Sequence, residues 1–416
     1  MKSMNTANHA PRPSLPMTNR VFRLKSRLYN ERFLSIEQAR IITETYRDNP
    51  GEPRIVQRAL ALKAALETIS IDLDPDELIV GNRSPGVRDG IVFPESGCSW
   101  VDEELETLPT RPQDPFQVRP ADAEAFRSGI KPFWEGRSLE DILRRRAGTR
   151  IDEIAPVVKI NQKDHAQGHI CPDCAGWLAA GPAGFLAEAR SNMAKNPGKA
   201  DFYRAVALVM EGVGRFMIRY AELAESKAGS KTESRAGGAA PDPEAQENFL
   251  EVSRICRALA ERPAGSFREA VQSLWFLFVI LHLESNASSF SPGRMDQWLY
   301  PYYKKDRDSG RLADEEALEL IECLWIKFNQ IVYMRNRNSA RYFAGFPIGF
   351  NIAIGGQDES GGDFVNELSF LILKAQEHLG LPQPNLSVRL HEKTSDALLL
   401  EAVRVVARGS GMPQFF

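Results

Sequence analysis

The densest collection of reactive side chains is the run NQKDHAQGHICPDC, from Asn161 to Cys174. It holds His165 and His169, two of the chain's six histidines, and Cys171 and Cys174, two of its five cysteines. Imidazole and thiolate are donors that zinc prefers, and the two cysteines form a C-x-x-C pair. Against a metal, histidines four apart share a face only on a helix, which Gly168 and Pro172 break. Zinc knuckles also space their ligand pairs more widely. A thioredoxin-like redox pair would need a strand before it and a helix after it. A third reading is two small buried cysteines beside a polar loop.

A second constellation is Glu284 to Gln297, with Asn286, Ser288, Ser289, Ser291, Arg294 and Asp296. It follows directly on Leu274–Leu281, the longest apolar run in the chain. A buried element that delivers a polar loop is a common way to line a pocket. The same residue types also cap helix ends. In Asn385–His391 a third set alternates, with Leu386, Val388 and Leu390 on one face and Ser387, Arg389 and His391 on the other. In a closed barrel the polar face would line a cavity; on an open sheet it would meet water. Gly355-Gly356 lacks the G-x-G-x-x-G spacing of a dinucleotide site and reads as a tight turn. His9, His282 and His378 carry no partner pattern and read as structural or surface residues.

The elements that must position these groups are mostly helical. Helical periodicity runs from Arg20 to about Leu73, broken at Asn49-Pro50-Gly51. Residues 83–120 read as ordered loop. Helices are expected over Asp314–Met334, from an N-cap at Asp363 to Gly380, and from Thr394-Ser395 to Gly409. Phe350–Ile354 and Asn385–His391 read as strands between them, an order that suggests an α/β sheet or barrel. Residues 1–19 read as a flexible N-terminal arm. Residues 225–244, ESKAGSKTESRAGGAAPDPE, have almost nothing to bury and read as an exposed loop.

Composition limits the function classes. The chain has 416 residues, a formal net charge of −3 and 43% hydrophobic residues. That charge argues against binding nucleic acid through counterion release. No apolar run approaches the roughly 18 residues of a membrane span. Five scattered cysteines suit a reducing cytoplasm. The last residues, GSGMPQFF, end on two phenylalanines that look like the entry to a further buried element, so the chain reads as interrupted within a domain.

An ordered set of motifs resembles the glycyl radical enzymes, the pyruvate formate-lyase superfamily, and especially its glycerol and diol dehydratase-like branch. The motifs are DELIVGN (76–82), FPE (93–95), WVDEELETL (100–108), FWEGRSLED (133–141) and GHICPD (168–173). They continue with HLESNASSFSPGRMDQWLYPYY (282–303), IGGQDESGGDFVNELS (354–369), LPQPNLSVRLH (381–391) and GSGMPQFF (409–416). The resemblance implies an α/β fold: the helix-rich N-terminal part, a first half-barrel with its helices, of a ten-stranded barrel. Residues 20–416 would form one incomplete domain of that kind.

By the same resemblance, an activase using S-adenosylmethionine and an iron–sulfur cluster installs a glycyl radical, and this oxidises a cysteine to the thiyl that attacks substrate. Both radical residues would follow GSGMPQFF, so no catalytic residue and no bound cofactor or metal is expected here. Asn161, His169, Ser288 and Ser289 match substrate-binding positions of glycerol dehydratase-like members. Ser288 departs from their His-Ser pair, which disfavours glycerol itself. The implied partners are a small hydroxylated substrate, the radical-activating enzyme and a second copy in a homodimer. Alternatives are a formate C-acetyltransferase type or a non-catalytic half-barrel scaffold.

Overall fold

The computed structural model describes residues 15–154, 157, 168–229, 242–345 and 348–416. Helix α1 (Asn19–Arg27) is capped by Thr18, whose hydroxyl accepts from the Val21 amide and donates to Glu319. The described end of the expected arm is therefore fixed to the body, with Leu15 and Met17 packed on the core. The periodic stretch that follows divides into α2 (Glu37–Asp48) and α3 (Arg54–Thr68). Before α2, β1 (Leu34–Ser35) pairs in parallel with β2 (Gly90–Ile91).

The long helices come next. They are α4 (Cys174–Lys195), α5 (Ala200–Gly229), α6 (Pro243–Glu261) and α7 (Phe267–Glu284). Helix α4 is interrupted at Gly181-Pro182, where glycine takes φ 63° ahead of a proline that cannot continue the hydrogen-bond ladder. Both ends of the expected 225–244 loop are helical, and residues 230–241 lie outside those described. The apolar run Leu274–Leu281 lies within α7, which is buried on nearly every side, as an all-round hydrophobic helix must be.

Helix α8 (Asp314–Gln330) stops four residues short of Met334; Ile331–Met334 are buried but not helical. Strand β3 (Asn351–Gly355) follows, then α9 (Glu367–Leu379), β4 (Asn385–Arg389), α10 (Asp396–Val405) and β5 (Gln414–Phe415). Helix α9 starts later than expected. Asn366, not Asp363, is the N-cap, accepting from the Leu368 and Ser369 amides, while Asp363 pairs with His391 at 3.0 Å. Its C-terminus is Gly380 in the left-handed conformation, as expected.

Strands β3, β4 and β5 lie side by side, all parallel, with Ile352 opposite Leu386 and Ser387 opposite Gln414. One face buries Ile352, Ile354, Leu386 and Val388 against the helices. There Trp275, Phe328 and Phe350 interlock, with ring centroids 5.8 Å and 4.7 Å apart. The buried indole N–H groups are satisfied, Trp275 by the Gly81 carbonyl at 2.8 Å and Trp325 by Gln376 at 3.0 Å. The opposite face carries Asn351, Ala353, Asn385, Ser387, Arg389 and Gln414, from half-buried to exposed. No helix among the described residues is long and apolar enough to cross a membrane.

Candidate substrate site

Helix α7 ends at Glu284, and the chain beyond it turns back along β3. The Ser289 amide donates to the Ile348 carbonyl at 2.7 Å, and Gly293 to Asn351 at 3.1 Å. Ala353 returns a bond to the Gly293 carbonyl at 2.9 Å. Residues 289–293 thus act as a short extra strand on the outer edge of β3, with Gly293 bridging Ile352 in parallel. The sheet therefore carries the serine loop to the N-terminal end of its polar face, which is half-buried to exposed among the described residues.

A second loop docks on this one. The His169 amide donates to the Ser288 carbonyl at 3.0 Å, and the Ser291 amide to the Ile170 carbonyl at 2.9 Å. The approach requires glycines. A β-carbon on Gly168 would sit 1.9 Å from the Ser288 carbonyl oxygen, and one on Gly293 would sit 2.8 Å from the Cys171 sulfur. His169 and Ser289 take φ of 58° and 62°, the left-handed region that non-glycine residues seldom adopt. Among the described residues only Arg88 and Asp114 share that strain.

The structure thus brings together His169, Ser288 and Ser289. Asn161 and His165 lie outside the described residues, as does His9. Among the described residues no three His, Cys, Asp or Glu side chains are grouped to hold a metal. Cys171 is exposed, whereas Cys174 is buried at the start of α4, where burial pushes its thiol up to about 12. Burial raises the Cys171 thiol too, so neither is the low-pKa thiolate that redox exchange requires.

Two positions carry roles more specific than the sequence assigned them. Asp296 is fully buried behind the loop; one oxygen accepts from the Gly355 amide at 2.8 Å and from the Ser369 hydroxyl at 2.7 Å. Burial pushes its carboxyl up to about 6. His282, expected to be unremarkable, is buried between Phe290 and Phe350, with centroids 4.8 Å and 5.3 Å away. Its Nδ1 donates to the Phe278 carbonyl at 2.7 Å, and burial, with Arg83 nearby, pushes its pKa down to about 3. His378 also has a partner, the buried carboxylate of Glu322.

Residues 16–416 match the family described as Pyruvate formate lyase-like. The chain belongs to this family. It is 33% identical over 397 residues to the Probable dehydratase YbiW of Escherichia coli, covering 91% of this chain and 47% of the relative. It is 29% identical over 402 residues to the isethionate sulfite-lyase of Oleidesulfovibrio alaskensis, covering 92% and 47%. Among solved structures, the glycerol-bound B12-independent glycerol dehydratase from Clostridium butyricum matches with a TM-score of 0.90 and 33% identity. That match covers 96% of this chain and 50% of the other. A Roseburia inulinivorans structure described for 1,2-propanediol dehydration also matches, with a TM-score of 0.90 and 31% identity over 97% of this chain and 51% of the other. The fold is therefore the helix-rich part of a glycyl radical enzyme barrel. The chain spans about half the length of the curated relatives it matches.

Proposed function

We propose that this chain is the substrate-holding half of a glycyl radical lyase of the dehydratase-like type, acting on a small hydroxylated molecule. The observation that carries this reading is the junction of His169 with Ser288 and Ser289. Two non-glycine residues are held there at positive φ beside a polar sheet face that is half-buried to exposed among the described residues. Strain of about 1–3 kcal/mol per residue persists only where the surroundings enforce it, and it concentrates at functional sites.

In this reading Asn161, His169, Ser288 and Ser289 contact the substrate. Ser289 and the Asn161 amide orient its hydroxyls. The His169 imidazole supplies the proton with which a leaving hydroxyl departs as water, where hydroxide alone would be a poor leaving group. The Ser288 carbonyl is engaged by the His169 amide, which ties the two substrate-contacting loops together. With a hydroxyl at Ser288 in place of a second imidazole, the pocket favours a small hydroxylated substrate other than glycerol.

A glycyl radical, installed by an activase that uses S-adenosylmethionine and an iron–sulfur cluster, and its partner thiyl supply hydrogen-atom abstraction from carbon. The cysteines here are poor candidates for that relay. Cys98, Cys174, Cys256 and Cys323 are buried, and Cys171 is exposed, with a thiol pKa that burial raises rather than lowers. The remaining partners are the polypeptide that completes the barrel, the activase and a second copy of the enzyme, all in a reducing cytoplasm. Residues 20–416 act as one domain.

Ligand-observed NMR of this chain with propane-1,2-diol, glycerol and isethionate tests the proposal. Loss of one hydrogen bond of about 0.5–1.5 kcal/mol should weaken diol binding about 2- to 10-fold in Ser289→Ala and His169→Ala. Failure of all three to bind, or binding by both variants as tight as that of the wild type, refutes it.

A further inference from the structure

We propose that Arg294 and Asp296 are positioning residues that set the register of the serine loop on β3. The inference deepens the site reading above and rests on it. The loop is held along β3 by few backbone bonds: Ser289 to Ile348, Gly293 to Asn351 and Ala353 to Gly293. Strand side chains alternate, so a slip of one residue would turn Ser289 to the opposite face and take its hydroxyl out of the site. Short edge pairings resist such slips poorly.

Past Gly293 the backbone leaves the strand and enters the short helix Met295–Trp298. Side chains then take over the ladder. The Arg294 guanidinium donates to the Gly355 carbonyl at 2.6 Å and to the Gln357 carbonyl at 2.7 Å. The Asp296 carboxylate accepts from the amide of the same Gly355 at 2.8 Å. Both backbone groups of one residue at the end of β3 are thus engaged by residues two apart in the loop, which allows one register only.

The clamp is tied to α9 as well. The Ser369 hydroxyl donates to the same Asp296 oxygen at 2.7 Å, and the N-cap amide of Asn366 donates to the Asp296 carbonyl at 2.9 Å. Close packing leaves no slack, since a β-carbon on Gly356 would meet Arg389 at 3.2 Å and Arg294 at 3.4 Å. As a stability device the carboxylate is a poor choice. It is fully buried and its second oxygen has no hydrogen-bond partner among the described residues. Such groups cost free energy, and the best-attested reason to keep them is the selection of one register.

Amide hydrogen exchange on this chain tests the assignment. In Asp296→Ala the amides of Ser289, Gly293 and Ala353 should exchange at least 10-fold faster, with Asn385 on β4 and the amides of α8 unchanged. Asp296→Asn, which keeps one acceptor oxygen, should restore most of the protection. Arg294→Gln, on a partly exposed side chain, should loosen the same three amides even if the alanine variant fails to fold. Unchanged exchange at those three positions, or a uniform rise that includes α8, overturns the proposal. The readout needs no ligand, so failure of the wild-type chain to bind diol counts against the site reading alone.

Discussion

Replacing His282 with methionine should remove an acid sensitivity that the buried imidazole imposes. Methionine is apolar and adaptable enough to fill the space between Phe290 and Phe350. Burial pushes His282 from 6.5 to about 3. The unfolded chain therefore binds this proton below pH 6.5, while the folded chain resists it until about pH 3. Stability from this group is fully present above the unfolded value and is lost as pH falls. The complete loss is about 5 kcal/mol, from 3.5 units at 1.36 kcal/mol each. Between pH 7 and pH 5 the group alone should cost about 2 kcal/mol.

The assay is urea denaturation followed by tryptophan fluorescence at half-unit steps from pH 7.5 to 5. Other groups titrate in that window, so the informative quantity is the difference between wild type and His282→Met at each pH. The variant will be less stable at pH 7 by whatever packing and the lost Phe278 bond contribute. That deficit should shrink by about 2 kcal/mol on going to pH 5. A deficit that stays constant across the series would mean that the imidazole titrates normally, and the reasoning from burial would fail.

Asp296→Asn should show the opposite slope. The folded carboxyl sits at about 6 against an ordinary 3.8, so wild-type stability falls by about 3 kcal/mol between acid below pH 3.8 and neutral pH; about 1.4 kcal/mol of that fall lies within the pH 5 to 7.5 series, and the amide abolishes it. Gly168→Ala places a methyl 1.9 Å from the Ser288 oxygen; it should part the two loops, raising exchange at the His169 and Ser291 amides while leaving β4 unchanged. A maleimide added to the native chain should label Cys171 quickly, and Cys98, Cys174, Cys256 and Cys323 only after unfolding, as mass spectrometry of peptides would show. Trp275→Ala should cost about 3–5 kcal/mol in urea, because the residue is fully buried at the junction of α7 with Phe328.

What the sequence disclosed depended on how local the signal was. The alternation of Leu386 and Val388 in β4, the stop of α9 at Gly380 and the burial of most of Leu274–Leu281 are encoded within a few residues and were legible, whereas Leu390, past the end of β4, is exposed. The start of α9 was displaced because Asp363 and Asn366 are both good caps, and only the distant His391 draws Asp363 away. The pairing of β1 with β2 joins two-residue strands and leaves no periodicity to detect.

The candidate site divides in the same way. His169, Ser288 and Ser289 were found through motif resemblance, yet their strained backbone and mutual docking appear only in three dimensions. Asp296 looked like one more polar loop residue. Its partners Gly355 and Ser369 lie 59 and 73 residues further along, beyond the reach of any local pattern.

The polar face of the sheet, half-buried to exposed among the described residues, has a consequence for what it would accept. Asn351, Asn385, Ser387 and Gln414 furnish this face with amides and a hydroxyl. While water lies over them, these groups cost nothing. The Asn351 amide already donates to the Gly349 carbonyl at 2.9 Å, but a visitor that displaces water from Asn385, Ser387 and Gln414 must return a hydrogen bond to each, or forfeit roughly 1–3 kcal/mol for every group left bare. A hydrocarbon of the right size is thereby rejected several times over, whereas a polyol meets the requirement with its own hydroxyls. In the proposed substrate site, selection among visitors would thus begin with this dehydration toll, before any single contact has recognised anything.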